Sequence, residues 1–170
     1  PHTLRKNLFE CSTVKKIVII RHPVDRFRSA FLDKCANYNH TAKGYTTGRH
    51  CITFPHNVPP ANISIDLFVS RLTRNHVTRP CDMHWCLQVS FCSLIQASVR
   101  KQVTFIRMDE NFNVNVVRIF GESARPLFPG YSRSSHKTNR DHVISQSTIL
   151  KIQDLYREDL LLYNRASRMR

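Results

Sequence analysis

Hydrophobic and polar positions alternate between two periods along this chain, and the changes of period mark its elements. Ile17-Val18-Ile19-Ile20 is a continuous β-branched run after Lys15-Lys16. Such a run reads as a buried strand of a parallel sheet. Arg21-His22-Pro23 follows at once, and proline suits the first helical position, so a helix is predicted from there. Phe27, Ala30, Phe31 and Cys35 then recur at helical spacing. Strand, tight turn and helix together make half of a βαβ unit.

Further along, residues 37–62 are polar and hold Gly44, Gly48, Pro55, Pro59 and Pro60, which predicts a long surface loop. Ser64 is placed to cap a helix running to about Arg74, with Ile65, Phe68, Val69 and Leu72 on one face. Residues 75–102 mix Cys, His and Trp without a clear period. Val103 to Arg107 reads as a second buried strand, and Phe112 to Phe120 as a helix ended by Gly121. Residues 122–143 read as loop. The last predicted helix runs from about Ser147 to Tyr163, with Ile149, Ile152, Leu155, Tyr156, Asp159 and Tyr163 in period and one polar break. Strands alternating with helices predict an α/β fold, a parallel sheet flanked by helices. At 170 residues the chain is read as a single domain able to bury a real core.

Charge changes the picture first. Lys and Arg number 26 against 12 Asp and Glu, a net charge of +14. That excess favours polyanionic partners such as nucleic acid, acidic lipid or a sulfated glycan, and it does not choose among them. The basic residues are spread along the chain, so a plain solvated surface is also compatible. Six cysteines, at 11, 35, 51, 81, 86 and 92, fit disulfides in an oxidising compartment. Six allow 15 pairings, and spacing does not choose; a bridge within Cys81, Cys86 and Cys92 is the expectation. The sequons Asn39-His40-Thr41 and Asn62-Ile63-Ser64 lean the same way, toward a secretory-pathway glycoprotein. No run approaches the apolar length of a membrane span. The chain starts at Pro1, and the expectation is a lumenal fragment whose N-terminal part, with an anchor, lies upstream.

The chemistry concentrates in Ile17 to Lys34. Arg21 stands at the carboxyl end of the first strand, the edge outside which ligands of open α/β sheets bind. Ser29 lies about two turns into the predicted helix and flanks its apolar face. An arginine fork and a nearby hydroxyl can hold a phosphate through charge-assisted hydrogen bonds; the plain alternative is an ordinary strand-helix junction with a surface arginine. Cys81, His84, Cys86 and Cys92 are zinc ligands by residue type, at a spacing that fits no strong zinc pattern, and disulfides or buried thiols are the preferred reading. No metal is expected.

The segment from Arg21 to Lys34 resembles the 3′-phosphate-binding motif of the carbohydrate sulfotransferases, R-[DH]-P-x-x-R-[LF]-x-S-[AY]-[FY]-x-[DN]-K. The match is carried by Arg21, His22, Pro23, Arg26, Phe27, Ser29, Ala30, Phe31, Asp33 and Lys34. His22 stands where many members carry Asp. The closest pattern is that of the Golgi group that sulfates chondroitin, dermatan and related glycans. Asp82-Met83-His84-Trp85, with Cys86 and Cys92 after it, is similar to that group's acidic-x-His-Trp segment. Val103 to Arg107, then Glu110, resembles its strand Y-D-F-I-G and following acidic residue. Ser135-His136-Lys137-Thr138 resembles its Ser-His loop, and Ile152 to Tyr163 its closing helix.

The resemblance implies a P-loop-NTPase-like sulfotransferase fold and sulfuryl transfer from PAPS (3′-phosphoadenosine 5′-phosphosulfate) to a glycan hydroxyl, without a metal. It implies that Arg21 and Ser29 grip the 3′-phosphate of the donor. Histidine is the commonest general base near neutral pH, and His84 lies in the segment most similar to the family's His-Trp motif, so it is the candidate to position or deprotonate the acceptor hydroxyl. Trp85 beside it offers a flat face for sugar stacking, and Arg71, Arg74 and Arg79 are placed in the sequence to draw in an anionic glycan. Residence in the Golgi lumen, tethered to the membrane by the upstream anchor, follows from the same resemblance. One feature of the family is missing. Its 5′-phosphosulfate loop should precede Ile17, and Pro1 to Lys16 hold no glycine-bearing loop. The domain is therefore expected to be partial and inactive by itself, or else a degenerate relative. Two other readings remain: a catalytically inactive lumenal binding module, and a basic nucleic-acid-binding domain, which the sequons and cysteines fit poorly.

Overall fold

The structure is a computed structural model and describes residues 16–36, 63–78, 81–93, 100, 103–128 and 143–166. The predicted loop over residues 37–62, both sequons and His136 lie outside the described residues. The chain divides into two compact units. One comprises Pro1–His22, Gln88–His136 and Leu161–Arg170; the other comprises Pro23–Leu87 and Lys137–Leu160.

The first unit is built on a two-stranded parallel sheet of β1 (Lys16–Ile20) and β2 (Val103–Arg107), paired from Lys16↔Val103 through Ile20↔Arg107. A further bond from Met108 N–H to the Ile20 carbonyl (2.7 Å) carries the ladder past the last pair. Both strands fall where the β-branched runs predict them. Their burial does not match the prediction of strands covered on both faces: Ile20 and Ile106 are buried, whereas Ile19 is 42% exposed. Among the described residues the sheet has two strands, so each is an edge there.

In the same unit Asn111 precedes a helix over Phe112–Phe120, which ends at Gly121 with φ 86°. That positive φ is the left-handed region open to glycine at little cost, so the predicted stop is the observed one. Phe112 and Val116 face inward with Ile106 and Ala124. The expected loop beyond it begins instead as a 3₁₀ helix, Glu122–Leu127, with Phe128 stacked on Phe120. Short 3₁₀ turns at helix ends take up backbone groups that loops would leave unpaired.

The second unit is helical. Its first helix, α1 (Pro23–Phe31), starts at the proline and continues as a π-helical turn over Leu32–Ala36. Next, α2 (Ile65–Arg71) is capped by Ser64, whose hydroxyl accepts from Leu67 N–H (3.1 Å). It ends before the predicted Arg74, because Leu72 turns extended to bury its side chain and Thr73 opens a new short helix, α3 (Arg74–Val77). The Thr73 N–H there donates to His76 Nδ1 (3.0 Å).

Between residues 100 and 128 lies the helix already described, α4 (Phe112–Phe120). The closing segment is α5 (Gln146–Leu155), capped by Ser145, then α6 (Arg157–Ala166). One continuous helix was the expectation, and the structure differs at Tyr156. Backbone bonds from Tyr156 N–H to the Ile152 carbonyl and from Leu160 N–H to the Tyr156 carbonyl run across the junction. Arg74 donates to the Leu155 carbonyl there, an insertion into the helix ladder of the kind that produces kinks.

The core of this unit is aromatic. Phe27 of α1, Phe68 of α2, Trp85 and Tyr156 form a chain of ring contacts 4.9–6.0 Å apart, and all four are buried. Such pairs add about 0.5–1.5 kcal/mol each beyond area burial. Against this cluster sits Arg26. It donates to the Cys86 carbonyl, lies 5.4 Å from the Tyr156 ring centroid and approaches Asp159 at 3.7 Å. Its side chain is 17% exposed and that of Asp159 0%. Desolvation lowers the Arg26 pKa, while Asp159 and then Tyr156 oppose the shift. Burial raises that of the Tyr156 phenol.

Removing one member of a buried ion pair leaves the other charged in a poor solvent, which costs about 3–5 kcal/mol. Arg26→Met should therefore destabilise the protein by about that amount, and adding Asp159→Leu should recover part of the loss. Urea unfolding followed by circular dichroism reads both. A single variant as stable as the parent would contradict this account of the core.

Candidate functional site

Arg21 is the first residue past β1, and its backbone is fixed in both directions. Its N–H donates to Gln88 Oε1 (3.1 Å), and Gln88 Nε2 donates back to its carbonyl (2.9 Å). One amide thus satisfies two main-chain groups that leave the ladder at the sheet edge. The side chain is half-buried. Its Nε is a buried atom with no hydrogen-bond partner among the described residues. An N–H in that state is costly, on the order of 1–3 kcal/mol and more for a charged group. A guanidinium with a buried, unused donor at the carboxyl edge of a parallel sheet has the chemistry to take an oxyanion. Nothing in the hydrophobic pattern singles out Gln88, and its role was not legible before the fold.

The first unit also holds a cation-aromatic group, at the end of the strand paired with β1. Arg107, at the carboxyl end of β2, lies over the Tyr163 ring (4.1 Å to its centroid) and donates from Nη2 to the Tyr163 hydroxyl (3.0 Å). Asp109 faces Arg107 Nε at 2.9 Å, although the N–H is not aligned for a hydrogen bond. His22 meets Tyr163 edge-on, with ring centroids 5.2 Å apart.

Ser29 and His84 belong to the second unit. Ser29 is half-buried on α1, one turn past Arg26, so the two share a face of the helix. His84 is partly exposed in a turn closed by the Cys81–Cys86 disulfide, whose Cα atoms stand 5.5 Å apart. Its backbone N–H donates to Asp82 Oδ1 (2.9 Å), and the Asp82 carbonyl accepts from both Trp85 and Cys86 N–H (2.9 Å each). The bridge lies within the trio expected to form one, and Cys35 is disulfide-bonded as well. Two sulfurs that were zinc candidates by residue type are thus joined to each other.

Two expectations for the surroundings of His84 are corrected. Trp85 is 0% exposed and packs on Phe27 and Phe68, so it offers no face to a sugar. The indole fills the core because an aromatic of that size buries more apolar area than any neighbour. Arg74 does not reach out to a glycan, since it pairs with Glu158 and with the Leu155 carbonyl. Arg71 is on the exposed side of α2, and Arg79 lies outside the described residues.

No helix among the described residues is long and apolar enough to cross a membrane. No curated protein and no solved structure matches the chain. The model of one family does, described as the sulfotransferase family, over residues 3–164. That span takes in both units, the strand-turn-helix at Arg21 and the turn at His84. With nearly the whole chain matched, and a parallel strand leading through Arg21 into a proline-started helix, the chain belongs to the sulfotransferase family.

Proposed function

We propose that this protein transfers the sulfuryl group of PAPS to a hydroxyl of an anionic glycan, of the glycosaminoglycan class, in the Golgi lumen. The observation that carries the donor half is Arg21: a guanidinium at the sheet edge, its backbone held by Gln88, with a buried Nε that has no partner among the described residues. The residues present fit a phosphate there. Arg21 supplies a charge-assisted donor, and Ser29 is assigned the companion hydroxyl from its place in the motif. Bound PAPS supplies an activated sulfuryl group, and its 3′-phosphate is the handle by which these residues orient it. Positioning and cationic stabilisation carry most of the catalysis in group transfer of this kind.

On the acceptor side His84 is assigned the proton of the attacking hydroxyl. Histidine titrates near neutral pH and is the commonest side chain for that task. Its turn is covalently closed and partly open to solvent, which supports the assignment. The net charge of +14 suits an anionic acceptor. Disulfide-bonded Cys35, Cys81 and Cys86 support an oxidising compartment, as the lumenal reading requires.

Calorimetry with PAP, the desulfated donor product, tests Arg21. Losing one hydrogen bond to a charged group is worth about 1.5–3 kcal/mol, so Arg21→Ala should weaken PAP by about tenfold or more. Unchanged affinity would refute the assignment. For His84, turnover of labelled PAPS by the full-length protein with a glycosaminoglycan acceptor is the readout. His84→Ala should reduce it about 10²-fold, the low end for acid–base catalysis, with PAP affinity and melting temperature nearly unchanged. Near-normal turnover would remove His84 from the mechanism, and a collapse in stability would make it a structural residue.

A further inference from the structure

Trp85 and Cys86, the two residues that follow His84, both have their carbonyls held from outside the turn. The Tyr156 hydroxyl donates to the Trp85 carbonyl (2.7 Å), and Arg26 donates to the Cys86 carbonyl. Neither bond is needed to bury apolar area: a phenylalanine would fill the place of Tyr156, and a methionine that of Arg26. What the two polar groups add is a fixed position for the backbone carrying His84. Arg26 is itself fixed by Asp159 and by the Tyr156 ring. It also stands one turn before Ser29 on α1. The same guanidinium therefore ties the turn of His84 to the helix that bears Ser29.

We propose that Tyr156 and Arg26 are positioning residues for sulfuryl transfer, clamping the carbonyls after His84 so that its imidazole keeps a fixed place relative to α1. The inference rests on the assignment of His84 made above. Neither residue touches substrate; each acts through the backbone of the Cys81–Cys86 turn. The disulfide alone does not do this. It closes the turn on itself, whereas Tyr156 and Arg26 attach it to α1 and to the α5–α6 junction. Displacing a catalytic group by about 1 Å can cost about 10²-fold in rate, so a clamp of this kind affects turnover beyond whatever it contributes to stability.

Tyr156→Phe is the cleanest variant, because it removes one oxygen and leaves the ring contacts with Phe27. In the full-length protein we expect kcat to fall about tenfold or more, a misplacement effect, while the KM values for PAPS and acceptor and the PAP affinity stay within about twofold. Arg26→Lys serves if Tyr156→Phe folds poorly. It keeps a cation beside Asp159 but exchanges the guanidinium fork for a single ammonium, and it should show the same split. Normal kcat in either folded variant, alongside a large loss in His84→Ala, would overturn the clamp and leave the role of His84 standing. Normal kcat in His84→Ala would instead remove the assignment on which the clamp rests. A rise in KM matching the fall in kcat/KM would also count against it, since it would mark lost binding in place of lost positioning.

Discussion

A buried cation organises the helical unit. Arg26 lies under the Tyr156 ring, 3.7 Å from a fully buried Asp159, and reaches the carbonyl of Cys86. A charge in that place is tolerated only with a counter-charge and hydrogen bonds, and each partner comes from a different segment. Satisfying one guanidinium therefore fixes three pieces of chain at once: α1, the disulfide turn and the α5–α6 junction. The aromatic rings of Phe27, Phe68, Trp85 and Tyr156 supply the apolar burial around it. Burial alone would accept many arrangements of four rings; the polar partners select one. The break between α5 and α6 at Tyr156 belongs to the same arrangement, because its hydroxyl reaches the Trp85 carbonyl.

The sheet unit works by a different constraint. Parallel pairing brings the carboxyl ends of β1 and β2 to one edge, where Arg21, His22 and Arg107 leave the strands. The main chain of Arg21 is saturated by Gln88, and its buried Nε has no hydrogen-bond partner among the described residues. A polar group kept unsatisfied in a folded chain is a place where function outweighs local stability. That is the physical content of the donor-site reading, and it is independent of the motif that first pointed to Arg21.

Much of the architecture was legible in advance. β2 and α4 begin and end where periodicity and Gly121 put them, and Pro23 starts α1. These elements depend on local rules: β-branched runs, a helix stop that needs positive φ, a proline with nothing to donate. What was not legible depends on contacts distant in sequence. Asp159 reads as a polar break in an apolar helix face until Arg26, far away in the chain, arrives to pair with it. Gln88 carries no periodic signal, and its role exists only because β1 ends beside it. Trp85 attracted a functional reading because it neighbours His84, but a large ring in a helical unit is drawn to the core. For the candidate site, Arg21, Ser29 and His84 came from motif and resemblance, while Tyr156 and Arg26 emerged as a clamp only from the fold.

The central claim is that Arg21 offers its buried Nε to a phosphate of the donor, and the most direct measurement observes that proton. In protein labelled with ¹⁵N-arginine, the Arg21 Nε–H resonance is identified by its loss in Arg21→Lys and followed during titration. The account predicts that PAP shifts this resonance strongly, whereas adenosine 5′-phosphosulfate, which lacks the 3′-phosphate, leaves it in place. A resonance that ignores PAP, or responds equally to both nucleotides, would contradict it.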